Sequence, residues 1–197
     1  MTARKTAIAR ADLQLDMKAY AAERKARRAQ VIALKGRRQI AVGPHATFSF
    51  ECYATMLHQV QEMLFIEKGG EAQVAGELEA YNPLIPQGRE LVATVMFEIE
   101  DPAARARELT KLGGIERTIK LSFDGRTVAG VPEEGDKTTD EGKTSAVHFI
   151  KFAFSPEDIA AFRKSGARVV LGFGHSNYGH MAVLPEAMRA ELAGDFA

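Results

Sequence analysis

At 197 residues, 46% of them hydrophobic and 26% charged, the chain is long enough for one domain with a sizeable core. That balance excludes wholesale disorder, and no apolar run approaches the roughly 20 residues of a bilayer span. The zero net charge is unevenly placed: residues 1–38 hold eleven Lys/Arg against three Asp/Glu, so 39–197 is strongly acidic.

Segment 12–38, "DLQLDMKAYAAERKARRAQVIALKGRR", predicts a long helix. Leu13, Met17 and Tyr20 keep helical spacing, Ala, Lys and Arg dominate, and no proline interrupts. Its basic charge suits an acidic partner, a nucleic acid or an anionic membrane surface, or simply a solvated helix beside its own acidic body. Nucleic acid fits poorly, because Tyr20 is the one aromatic there for base stacking. "RRQIAVGPHATFSF" predicts one or two short strands around a Gly43-Pro44 turn. "SFECYATMLHQVQEMLFIEK" predicts a second helix with Ser49 as its N-cap and Gly69-Gly70 closing it. "EAQVAGELEAYN" predicts a third, ending before Pro83.

The period then changes. "ELVATVMFEIE" reads as a strand, followed by a short helix from Asp101-Pro102 to Gly113. "TIKLSFDGRTVAGV" predicts a hairpin, with Asp124-Gly125 suited to a type I′ turn. A polar loop over 132–144 precedes the strand "SAVHFIKFAF" and the capped helix "SPEDIAAFRKSG". "RVVLGFGHSNYGHMAVL" predicts a second hairpin, and a helix from Pro185 ends the chain. The expected architecture is α+β: an antiparallel sheet of about five to seven strands, sandwich or partly closed barrel, with N-terminal helices packed on it. Two parts are expected, a basic helical segment 1–38 and a single α+β domain 39–197.

The histidines carry the candidate chemistry. His175 and His180 bracket a glycine-rich hairpin; if they oppose each other, their Cβ atoms stand roughly 4.5–5.5 Å apart and can share an ion. The competing reading is a packed corner with Tyr178 over it. His148 begins the row His148, Ile150, Phe152, Phe154, which is expected to face the core. Glu51, His58 and Glu62, at 0, +7 and +11, fall within roughly 40° on a helix, either a ligand face or a wet one. The expected metal ligands are therefore His58, Glu62, His175 and His180. Glu51 and His148 stand as supporting or substitute ligands, and Tyr178 as a hydrogen-bond donor to a bound species. Imidazole plus carboxylate suits iron, zinc or manganese. His45 reads as a turn residue and Cys52 as a small buried one; a single cysteine and an N-terminus without an apolar core of the secretory type suit the cytoplasm. P-loop, dinucleotide, GxSxG, HExxH and CxxC patterns are all missing.

The strings "RRQIAVGPHATFSFECYATMLHQVQEMLFIEKGG", "AYNPLIPQGRELVATVMFEIEDP" and "VVLGFGHSNYGHMAVLPEA" resemble a bacterial family known as domain of unknown function 3501, from about residue 12 to the end. The resemblance brings no catalytic residue. It implies, through a genomic setting near rubrerythrin-like and iron–sulfur oxidoreductase-like genes, an association with iron or peroxide chemistry. The leading expectation is a cytoplasmic metal-binding protein of redox or oxidative-stress metabolism. Its rival is a metal-free interaction or accessory module that docks a redox partner, such as a rubrerythrin-like or iron–sulfur protein, through the basic helix. A small-molecule binder using the hairpin as a pocket lip is a third reading. Catalysis and homo-oligomer formation stay open.

Overall fold

The computed structural model describes residues 5–133 and 142–197. The loop expected over 132–144 falls mainly outside the described residues.

The helix predicted at the N-terminus is α1 (Met17–Gly36), capped by Asp16, whose carboxylate accepts from the Lys18 and Ala19 amides at 2.9 and 3.2 Å. It leads into β1 (Gln39–Val42) and β2 (Ala46–Phe50), then α2 (Tyr53–Glu67) and α3 (Glu71–Tyr81). Next come β3 (Glu90–Phe97), α4 (Pro102–Thr110), β4 (Ile119–Phe123), β5 (Arg126–Pro132) and β6 (Val147–Ala153). The chain finishes with α5 (Pro156–Arg163), β7 (Val170–Phe173), β8 (Met181–Val183) and α6 (Glu186–Ala193).

All eight strands join one antiparallel sheet in the order β1-β2-β3-β6-β5-β4-β7-β8. The edge strands β1 and β8 come against each other, so the sheet nearly closes into a barrel. Eight strands exceed the expected range because Gly43, at φ +75°, folds "AVGPHA" into a hairpin that pairs Val42 with Ala46. Asp124 and Gly125 both take positive φ, as a type I′ turn requires, and Phe123 pairs with Arg126 across it.

Strand alternation builds two cores on the two sides of one wall. From β3, Leu91, Ala93, Val95 and Phe97 point into the barrel, while Val92 points out beneath α2. Phe48, Phe50, Phe152 and Phe173 fill the interior. Outside, Met56, Val60 and Leu64 of α2 pack with Val74 of α3 and Ile8. Burying each such side chain contributes about 1.5–3 kcal/mol, so both layers are held by ordinary apolar packing.

The expected Ser49 cap is a correction. Ser49 lies inside β2, paired with Gln39 on one side and Thr94 on the other, and the Glu51 amide continues the pairing by donating to the Val92 carbonyl at 2.7 Å. The helix therefore starts only at Tyr53, with Cys52 at the cap position. Buried Arg38 joins α1 to the barrel: its guanidinium donates to the Phe50 and Glu51 carbonyls at 2.9 and 3.2 Å and pairs with Asp195 near the C-terminus.

Candidate functional site

The hairpin register sets the two histidines apart. Gly172 pairs with Met181, and the Phe173 amide donates to the His180 carbonyl at 2.9 Å. His175 forms its bridge with Tyr178, not with His180. The opposition of His175 and His180 entertained from the sequence does not occur; the pairing is offset by two residues because the turn closes within His175–Tyr178, where the Tyr178 amide donates to the His175 carbonyl at 3.0 Å.

His175, Asn177, Tyr178 and His180 each meet protein groups. His175 Nδ1 accepts from the Asn177 amide at 3.2 Å, which leaves Nε2 to donate to the Gly113 carbonyl at 3.2 Å. Tyr178 is buried, and its hydroxyl accepts from the His45 and Ala46 amides at 2.9 and 3.0 Å and donates to the Val42 carbonyl at 2.9 Å. These three bonds cross the seam where the barrel would otherwise be open. His180 is exposed, its ring 4.5 Å from that of Tyr178, and it rests on Gly43. A Cβ on Gly43 would stand 2.6 Å from His180 Cγ and 2.7 Å from the Tyr178 hydroxyl, so close approach as well as positive φ requires glycine there.

The helical stripe is also reorganised. Glu51 precedes α2; it is buried, and its carboxylate accepts from the Thr94 and Thr55 hydroxyls at 2.7 and 2.6 Å. It therefore does not share the face of His58 and Glu62. Glu62 lies under α1, held by the forked Arg24 guanidinium at 2.9 and 2.8 Å and by the Tyr20 hydroxyl at 2.6 Å. Arg24 above all, with Tyr20 assisting, lowers the Glu62 pKa to about 2. His58 is half-buried beside it; desolvation lowers its pKa, Glu62 opposes, and Lys35, Arg28 and Arg24 add to the lowering. The stripe is thus covered by α1, an arrangement that depended on where α1 packs.

His148 is buried as its row suggested, with Nε2 at 2.9 Å from the Ser145 carbonyl and 3.1 Å from the Thr144 hydroxyl. Thr144 also reaches Glu116, whose second carboxylate oxygen is fully buried without a hydrogen-bond partner among the described residues. Sequence reasoning missed both Glu116 and Arg38: each sits in a charged string, "IERT" and "GRRQ", that reads as exposed. Among the described residues no group of three or more His, Cys, Asp and Glu side chains stands together to hold an ion.

The outer face of α1 is the other candidate. Tyr20 is its one buried residue. Lys18, Ala21, Lys25, Arg28 and Ile32 are all exposed and lie within about 80° around the helix axis. Ile32 is 66% exposed. Arg24 and Arg27 are paired with Glu62 and Glu23, whereas Lys18, Lys25 and Arg28 have no carboxylate partner among the described residues. A shallow concavity of about 450 Å³ runs along this face.

No curated protein matches the chain. A solved structure, described as a novel protein of unknown function from Burkholderia pseudomallei K96243, is similar at 36% identity with a TM-score of 0.88, covering 96% of this chain and 99% of that one. The family model described as "Protein of unknown function (DUF3501)" matches residues 7–196. The chain therefore belongs to the DUF3501 family.

Proposed function

We propose that this protein is an interaction or accessory module that docks an acidic, helical surface of a partner protein along α1. The observation that carries this reading is the exposure of Ile32 between Arg28 and Lys25 on a helix seated by its opposite edge. An apolar side chain framed by unpaired cations and alanines suits a partner helix with an apolar seam and acidic flanks. Nucleic acid is a poorer occupant, since Tyr20 is buried and no other aromatic stands on α1. A membrane surface is poorer too, because one isoleucine and a few alanines give little insertion area. Pairing of two α1 helices from two copies would oppose like charges.

The expected metal centre draws less support from the geometry. Arg24 and Tyr20 hold Glu62, the Gly113 carbonyl and the Asn177 amide hold His175, and Tyr178 closes the seam. A rubrerythrin-like or iron–sulfur protein, suggested by genomic association, is the first partner to try. The free thiol of Cys52 supports a reducing, cytoplasmic setting. The test is binding of a synthetic helical peptide carrying glutamates beside a leucine seam. Lys25→Glu/Arg28→Glu and Ile32→Glu should each abolish it while leaving the fold intact. Binding that survives both variants overturns the reading. Elemental analysis of tag-free protein and of His175→Ala/His180→Ala tests the rival: near-stoichiometric metal lost in that variant would restore it.

A further inference from the structure

Between α1 and α2 lies a groove of about 180 Å³ that the docking face does not use. Its walls are Tyr20, Val31, Tyr53 and Leu57, and its polar groups include Arg27, Gln30 and His58. The His58 ring hydrogen-bonds no described residue, although it is half-buried. Arg27 is the cation in the groove wall; of the charged groups acting on His58, Lys35 and Arg28 are cationic, while Arg24 and the acid Glu62 bridge each other. The Arg27 guanidinium stands 5.7 Å from the Tyr20 ring centre, and beside Tyr53 the Lys5 ammonium, 5.2 Å from that ring's centre, is paired with Asp12.

We propose that this groove binds a small monocarboxylate with an apolar body, the carboxylate on Arg27 and His58 and the body against Val31, Leu57 and Tyr53. The sign of the ligand follows from Arg27 in the wall and from Lys35 and Arg28 acting on His58, which together disfavour an amine. The planar guanidinium fork matches a carboxylate. Three apolar walls in so small a volume suit an aryl or short alkyl group better than a fully hydrated phosphate. Turning Arg27 inward costs little, because its pair with Glu23 is a partly exposed i,i+4 surface contact. A bound carboxylate favours the charged imidazole, so binding takes up a proton at His58.

The experiment is an NMR titration of the full chain, labelled with ¹³C in its histidine rings, with sodium benzoate. Benzylamine hydrochloride, sodium phosphate and sodium chloride at matched ionic strength are the controls, and His58→Ala identifies the signal. The expected result is a saturable shift of the His58 ring with a Kd of about 1 mM and an apparent His58 pKa that rises with benzoate. Arg27→Gln, at a half-buried site, should weaken benzoate at least about fivefold. A non-saturating shift, an equal shift with benzylamine, phosphate or chloride, or unchanged affinity in Arg27→Gln would overturn the proposal. Arg27 lies off the outer stripe of α1, so this outcome is independent of the docking test.

Discussion

The Tyr178 hydroxyl donates to the Val42 carbonyl at 2.9 Å across the seam between the first and last strands of the sheet. With the two amide bonds that the same oxygen accepts, it is what the glycine-rich hairpin delivers to the barrel. Tyr178→Phe keeps the ring in its aromatic setting beside Phe97 and Phe173 but leaves the Val42 carbonyl and the Ala46 amide buried without that partner. The expected cost is about 2–4 kcal/mol, read as a lower urea midpoint at unchanged slope. A loss under about 0.5 kcal/mol would show that the seam does not depend on this hydroxyl.

Gly43→Ala should be at least as damaging, by about 2–4 kcal/mol, because it adds left-handed strain to a clash with His180 and Tyr178. Removing the His180 ring relieves one of the two contacts. Gly43→Ala/His180→Ala should therefore recover part of the loss, and strict additivity in the double-mutant cycle would contradict the close packing.

The α1–α2 contact gives stability two acid steps. His58 has a lowered folded pKa, so below its ordinary 6.5 the unfolded chain takes the proton first and stability falls. Glu62 is lowered from 4.5 to about 2, so its contribution is complete above 4.5 and lost as pH falls through that interval. Half-buried His58→Gln should remove the first step, and Glu62→Gln the second, with a cost on the order of 2–3 kcal/mol at pH 7. Chemical denaturation at pH 7, 5.5 and 3.5 separates them.

Glu116 yields a prediction of opposite sign. One of its carboxylate oxygens, buried without a partner among the described residues, is a desolvation cost without a matching bond. Glu116→Met should stabilise the fold by about 1 kcal/mol, while Thr144 keeps its contact with His148 at 3.1 Å. Destabilisation by more than that would mean the carboxylate supports the barrel end.

What the sequence disclosed was local. Alternation announced the strands, Asp124-Gly125 its turn, and the row from His148 its burial, because each depends on neighbours a few residues away. The site residues were legible as chemistry and not as geometry. A two-residue offset in one hairpin put Tyr178 rather than His180 opposite His175. Glu51 left its stripe because β2 extends by pairing with β3, and Glu62 found its partners on α1, 38 and 42 positions away. Such long-range partners leave no trace in local periodicity.

The most direct test of docking through α1 is a salt titration of wild-type protein with the acidic helical peptide. Kd should rise at least about tenfold between about 0.05 and 0.5 M sodium chloride, because the Lys18, Lys25 and Arg28 contacts are exposed and screened. A lysine-rich peptide with the same leucine seam should not bind. Salt-insensitive affinity, no binding at low salt, or equal binding of the basic peptide would contradict the account.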